Sequence, residues 1–188
     1  MTDRTDPSTR YRRPARLLHW GIALLVLATI PVGFVMIQSG LEREVQNALF
    51  VFHKNVGVLL LVLVAIRAAY RWRHPPAPLP ADIPDWQRRI AGLTHAALYG
   101  LLFLMPVAGY VRVRAGGFPL ESLDAIGVPS LVPESEALAD TAKALHYYGA
   151  LAITALIALH VGAAAYHGLL RRDGVFSRMW PPFGGRGS

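Results

Sequence analysis

The histidines are the residues of this chain whose type and spacing point most directly to chemistry. His146 and His160 lie 14 residues apart, with no charged residue between them. In an α-helix this spacing places both imidazoles on one face, separated by about 21 Å along the axis. An ionisable side chain inside so apolar a helix indicates a functional site. We therefore expect two ligands at two depths, each of which needs a partner on a neighbouring helix.

The composition indicates that the helices carrying these histidines lie in a membrane. Of 188 residues, 53% are hydrophobic and 16% are charged, whereas soluble domains average about 25% charged residues. The net charge of +7 comes from arginines at the ends of apolar segments, the pattern of a membrane protein. The sequence contains no nucleic-acid-binding motif, so we expect lipid rather than nucleic acid as the partner.

The absence of cysteine narrows the possible cofactors. It excludes a disulfide framework, thioether attachment of a c-type haem, cysteine-ligated iron–sulfur clusters and thiolate zinc sites. Any metal or cofactor must be held by histidine, methionine or oxygen ligands.

Four apolar segments are long enough to cross the hydrocarbon core as helices, which takes about 20 residues each. The sequence therefore predicts an all-α integral membrane four-helix bundle over residues 17–170, with an arm at 1–16 and a tail at 171–188. A proline-rich linker (74–80) and a longer loop (116–141) separate the later helices. The predicted spans are approximately 17–36, 49–70, 90–111 and 145–170.

The distribution of arginine among the loops predicts the orientation of the bundle in the membrane. The arm, the two flanks of the proline-rich linker and the tail are rich in arginine, whereas the other two loops are rich in acidic residues. By the positive-inside rule, both termini and the proline-rich linker are expected in the cytoplasm.

In this topology four histidines form two pairs, and the members of each pair lie at the same depth in the membrane. His19 pairs with His160 towards the cytoplasm, and His53 pairs with His146 towards the outer face. Two histidines from facing helices are what a six-coordinate b-type haem requires inside a bundle. Zinc or copper is the alternative, but these metals favour three or four ligands close together rather than two separated pairs. We therefore expect two haem b groups, with His19, His53, His146 and His160 as the iron ligands.

The motifs around these histidines resemble the bacterial cytochrome b561 family of four-helix, di-haem membrane proteins. The resemblance covers about residues 11–172. It rests on Leu18-His19-Trp20, Phe52-His53-Lys54-Asn55-Val56-Gly57, Ile66-Arg67, Thr94-His95 with Pro106 and Gly109, Leu145-His146-Tyr147-Tyr148-Gly149, and Leu159-His160 with His167.

The resemblance implies an oxidoreductase of the bacterial inner membrane that transfers electrons between a donor at the outer face and the ubiquinone pool. Some members oxidise superoxide and reduce ubiquinone, which makes superoxide oxidase activity a specific hypothesis. A haem-b anchor subunit of a larger dehydrogenase or hydrogenase is an alternative. A non-enzymatic metal transporter is a second alternative, although no pair of acidic residues lies inside the predicted spans.

Three further residues are candidates for cofactor binding near the cytoplasmic side. His95 and His167 are expected either to bond a haem propionate or a quinone headgroup, or to be interfacial histidines without a role. Arg67 is expected either to extend its cation to the membrane surface or to pair with a propionate.

Four basic residues are expected at the outer face: Lys54, Arg112, Arg114 and Lys143. One interpretation is that they pair with haem propionates or lipid headgroups. The other is that they attract a small anionic donor, such as superoxide, towards the outer haem.

Overall fold

The computed structural model describes residues 10–80 and 82–183, and these residues form helices joined by loops and turns. The predicted all-α fold class is confirmed. The helices are α1 (Arg13–Val35), α2 (Arg43–Arg73), α3 (Asp85–Ala115), α4 (Glu121–Ala125) and α5 (Glu136–Ala165). A π-helical turn (Tyr166–Arg171) continues α5, and a 3-10 turn (Phe176–Arg178) follows it.

Four of these helices, α1, α2, α3 and α5 with its π-helical turn, are long and apolar enough to cross a membrane. Helix α1 packs against α2, α2 against α3, and α3 against α5. The buried centre contains Ile22, Val26, Leu60 and Val64, whereas side chains such as Leu24 are exposed on the outer surface of the bundle. Apolar side chains on the outside of a helical bundle are suited to contact with lipid.

All four long helices begin earlier in the chain than the predicted spans. Helix α1 begins at Arg13, so the end of the predicted arm is helical; residues 1–9 of that arm lie outside the described residues, as do residues 184–188 of the tail. The predicted loop from Gly116 to Thr141 is wrong over much of its length, because it contains α4 and the first turns of α5. Helix α5 begins early because the Ser135 side chain accepts a hydrogen bond from the Leu138 N–H and caps it.

Different segments lie over the two ends of the bundle, and we call these ends the loop end and the terminal end. The loop end carries α4 and the α3–α5 connection. The terminal end carries the start of α1, the proline-rich linker and the C-terminal segment 172–183. At the terminal end, Trp20 Nε1 donates to the Met179 carbonyl at 3.0 Å, and the Arg178 side chain donates to the Ala77 carbonyl. The C-terminal segment thus joins α1 to the linker between α2 and α3.

Candidate haem sites at two levels of the bundle

Helix α5 positions one histidine at each level of the bundle. At the loop end, His146 faces His53 of α2 with 6.0 Å between ring centroids. At the terminal end, His160 faces His19 of α1 at 6.1 Å. The ring planes cross at 73° in the first pair and 82° in the second. The structure therefore brings together the two pairs that were expected from helix spacing and topology.

The spacing within each pair suits two imidazoles that share one metal ion. A metal–imidazole bond is about 2 Å long, and the ligating nitrogen lies about 1 Å from the ring centre. Two rings on opposite sides of one metal therefore have centroids about 6 Å apart. Both pairs meet this condition, and neutral imidazoles are the axial donors that a b-type haem uses.

Backbone carbonyl groups orient the loop-end pair. The Nδ1 atom of His53 lies 3.1 Å from the Thr29 carbonyl oxygen on α1, and that of His146 lies 3.0 Å from the Met105 carbonyl oxygen on α3. A carbonyl accepts only a proton donor, so each Nδ1 carries the hydrogen and each Nε2 has a free lone pair. Both histidines are therefore in the tautomer that ligates a metal through Nε2.

A cavity of about 600 Å³ lies beside the loop-end pair, with an apolar lining that includes Val26, Leu60 and Ile153. Its polar lining includes His53 and His146 together with Arg112, Asp140 and Lys143. An apolar space with two facing imidazoles and cations at its edge fits an amphipathic macrocycle that carries carboxylates.

The chain matches the family model described as prokaryotic cytochrome b561 over residues 10–182. It belongs to this family. The cytochrome b561 relatives include cytochrome b561 homolog 2 of Escherichia coli (strain K12), which is 31% identical over 176 residues and 93% of each chain. Cytochrome b561 homolog 1 of the same organism is 28% identical over 174 residues, 92% of this chain and 97% of the relative. Membership makes this protein a membrane electron-transfer protein and implies a b-type haem.

The terminal-end pair of this cytochrome b561 has aromatic neighbours. The His95 ring lies 5.3 Å from that of His160, and the Trp20 ring lies 5.5 Å from that of His19. Arg67 donates to the Ala15 carbonyl at 2.7 Å, so this cation lies between α2 and the start of α1. His95 and Arg67 are thus at the terminal-end pair, where a haem carboxylate is expected.

His167 lies apart from both pairs and has its own partner. Its Nδ1 lies 2.5 Å from Asp173 Oδ2, and the Asp173 side chain is only 1% exposed. The second oxygen of Asp173 accepts the Val175 N–H at 3.3 Å, which fixes the carboxylate in the C-terminal segment. Sequence reasoning did not identify Asp173, because its six-residue separation from His167 is not a same-face spacing in an α-helix. Asp173 follows the π-helical turn, beyond Arg172, whose backbone is left-handed with φ at 49°.

The four basic residues of the outer-face prediction divide into two groups. Lys54 contacts Glu121 Oε1 at 2.6 Å, and Arg114 pairs with Asp124, so both hold α4 against the bundle. Arg112 and Lys143 instead line the loop-end cavity. The acidic partners on α4 were not identified from the sequence, because Glu121 lies 67 positions from Lys54 and Asp124 lies 10 positions from Arg114, across the connection from α3 to α4.

The two carboxylates of α4 are stabilised in their charged form. The hydrogen bond from Arg114 lowers the pKa of Asp124 below its usual value of 3.8. Partial burial alone would raise the pKa of Glu121, but hydrogen bonds from Lys54 and Asn55 outweigh burial and lower it below 4.5. Both acids are therefore ionised at neutral pH and offset the charges of Lys54 and Arg114.

Proposed function

We propose that this protein holds two haem b groups and transfers electrons from a donor at the periplasmic face of the bacterial inner membrane to ubiquinone. The observation that carries the proposal is the presence of two equivalent histidine pairs, at 6.0 and 6.1 Å, along the single helix α5. His53 and His146 hold the loop-end haem, and His19 and His160 hold the terminal-end haem.

The distribution of arginine supports the proposed orientation. Basic residues are concentrated at the terminal end, on both sides of the proline-rich linker and near the C-terminal segment, which supports a cytoplasmic location for this end. The loop end then faces the periplasm. Bound haem supplies the one-electron chemistry, and the protein supplies the ligands, the electrostatic environment and the route for protons.

The buried His167–Asp173 pair supports ubiquinone as the acceptor at the terminal end. Reduction of a quinone to a quinol takes two electrons and two protons. Asp173 accepts the Nδ1 hydrogen of His167, which leaves the lone pair of Nε2 to take up a proton and pass it to a quinone oxygen.

Superoxide is the donor that we propose at the loop end. Two superoxide anions, one ubiquinone and two protons give two molecules of oxygen and one ubiquinol, which balances atoms and charge. Because Glu121 and Asp124 neutralise Lys54 and Arg114, the attraction of the anion falls to Arg112 and Lys143, which line the cavity together with one carboxylate, Asp140. This restricts the steering hypothesis to two of the four basic residues.

The proposal is tested on purified protein in two steps. A pyridine haemochrome assay should give about two haem b per chain, as two bis-histidine sites require. In stopped-flow measurements, superoxide should reduce the haems of the oxidised protein, and a soluble ubiquinone should oxidise them again. One haem per chain would overturn the two-site assignment, and reduction by quinol but not by superoxide would overturn the proposed donor.

Neutralising Arg112 and Lys143 tests the steering of the anion. The Arg112→Gln/Lys143→Gln variant should react with superoxide about tenfold more slowly at low salt, since charged clefts raise on-rates about 10- to 1000-fold. The difference should shrink as salt rises, because screening acts beyond about 8 Å at 0.15 M. Stopped-flow rates at two ionic strengths measure both effects.

The matched control for steering is Arg43→Gln, which removes one exposed positive charge at the start of α2. This control should leave the rate unchanged. If the Arg112→Gln/Lys143→Gln variant loses haem while its salt dependence stays that of the parent, the two cations bind haem carboxylates and do not steer the donor.

A further inference from the structure

Two glycines lie directly against the loop-end histidine rings. A Cβ atom added to Gly33 of α1 would lie 2.8 Å from His53 Cε1, closer than real carbon contacts allow. A Cβ added to Gly109 of α3 would lie 3.2 Å from His146 Cε1. Each ring therefore occupies the space that a side chain on the neighbouring helix would fill.

The same helix turn that supplies each glycine also supplies the carbonyl acceptor for that ring. His53 bonds to the carbonyl of Thr29 and lies over Gly33, four residues later on α1. His146 bonds to the carbonyl of Met105 and lies over Gly109, four residues later on α3. Residues four apart share a helix face, so acceptor and glycine form one surface beneath the ring.

We infer that Gly33 and Gly109 are positioning residues for the loop-end haem. With the Thr29 and Met105 carbonyls, they set the plane of each imidazole and keep its Nδ1 hydrogen bond in place. The inference rests on the proposed haem ligation by His53 and His146. It assigns a role to α1 and α3, which carry neither of these histidines.

A shift of the ring has two physical consequences. It changes the 73° angle between the imidazole planes, which determines the magnetic anisotropy of a low-spin bis-histidine iron. It also lengthens the hydrogen bond to the carbonyl, and weaker bonding at Nδ1 makes an imidazole a less basic ligand. A less basic ligand stabilises ferric iron less, so the reduction potential of the loop-end haem should rise.

The variants Gly33→Ala and Gly109→Ala test the inference. In each, the loop-end haem should show a changed low-spin EPR signal and a raised midpoint potential, or be lost. The terminal-end haem should keep its spectrum and potential, which also reports that the bundle has folded. Low-temperature EPR and a potentiometric titration of the purified protein separate the two haems.

Matched controls exist on the same two helices. Gly21 of α1 and Gly100 of α3 are exposed, and an added Cβ at either would meet no atom within 4 Å. Gly21→Ala and Gly100→Ala should leave the loop-end signal and potential unchanged.

Two results would overturn the inference without affecting the proposed ligation. One is an unchanged loop-end EPR signal and potential in both Gly33→Ala and Gly109→Ala. The other is equal loss of both haems, which would show that the glycines serve general helix packing. If the parent protein itself lacked a loop-end haem, the proposed function would fail instead.

Discussion

Replacing His53 with alanine should lower the haem content from about two per chain to about one, and His146→Ala should remove the same haem. The two rings face each other at 6.0 Å from different helices, so loss of either leaves a single axial ligand. His19→Ala and His160→Ala should each remove the terminal-end haem. Reduced-minus-oxidised spectra and redox titration of the four variants measure the pairing.

His74→Ala is a suitable control for these four substitutions. His74 stacks on Tyr70 at 4.3 Å at the start of the proline-rich linker, and its loss should leave both haems in place. The pairing would be wrong if His53→Ala and His19→Ala removed the same spectral component. It would also be wrong if His95→Ala removed the terminal-end haem while His19→Ala retained it, since His95 also lies beside His160.

Asp173→Asn should slow the oxidation of the reduced protein by ubiquinone about 10- to 100-fold, the usual cost of losing an orienting partner of a functional histidine. Asparagine can still accept the Val175 N–H, so the C-terminal segment should keep its position. When the amide oxygen accepts that N–H, the amide NH2 faces His167 Nδ1 and cannot accept its hydrogen, so proton transfer to the quinone should be impaired. Stopped-flow oxidation of dithionite-reduced protein measures this step independently of the natural donor.

Asp82→Asn provides the control for Asp173→Asn, because Asp82 is an exposed carboxylate in the α2–α3 linker. It should oxidise at the rate of the parent protein. A parent-like rate in Asp173→Asn would rule out the dyad as the proton donor. Loss of the terminal-end haem in that variant would assign Asp173 a structural role.

The sequence was sufficient to predict the parts of the site that depend on helix periodicity. The 14-residue separation of His146 and His160 fixes a shared face and two depths, and alternating helix directions bring His19 and His53 to the matching levels. The all-α fold follows from four apolar segments of sufficient length. These inferences need only the regular geometry of a helix and the thickness of a bilayer.

The missed features depend on contacts between distant parts of the chain. Glu121 reaches Lys54 across 67 positions, and Asp173 contacts His167 from beyond the end of the helix, after the left-handed Arg172. Gly33 is one of 17 glycines, and nothing in the sequence distinguishes the one that contacts a histidine ring. Tertiary packing decides contacts of this kind, and it leaves no regular spacing of residue types in a single sequence.

The position of α5 in the chain has a consequence for biosynthesis. It contributes His146 to one pair and His160 to the other, and it follows α1, α2 and α3 in the chain, so it leaves the ribosome after them. A nascent chain that has inserted only α1, α2 and α3 presents His19 and His53 without their partners. Under the proposed ligation, neither haem can have both of its axial histidines until α5 has been translated. Haem binding then distinguishes chains that contain α5 from chains that were interrupted before it.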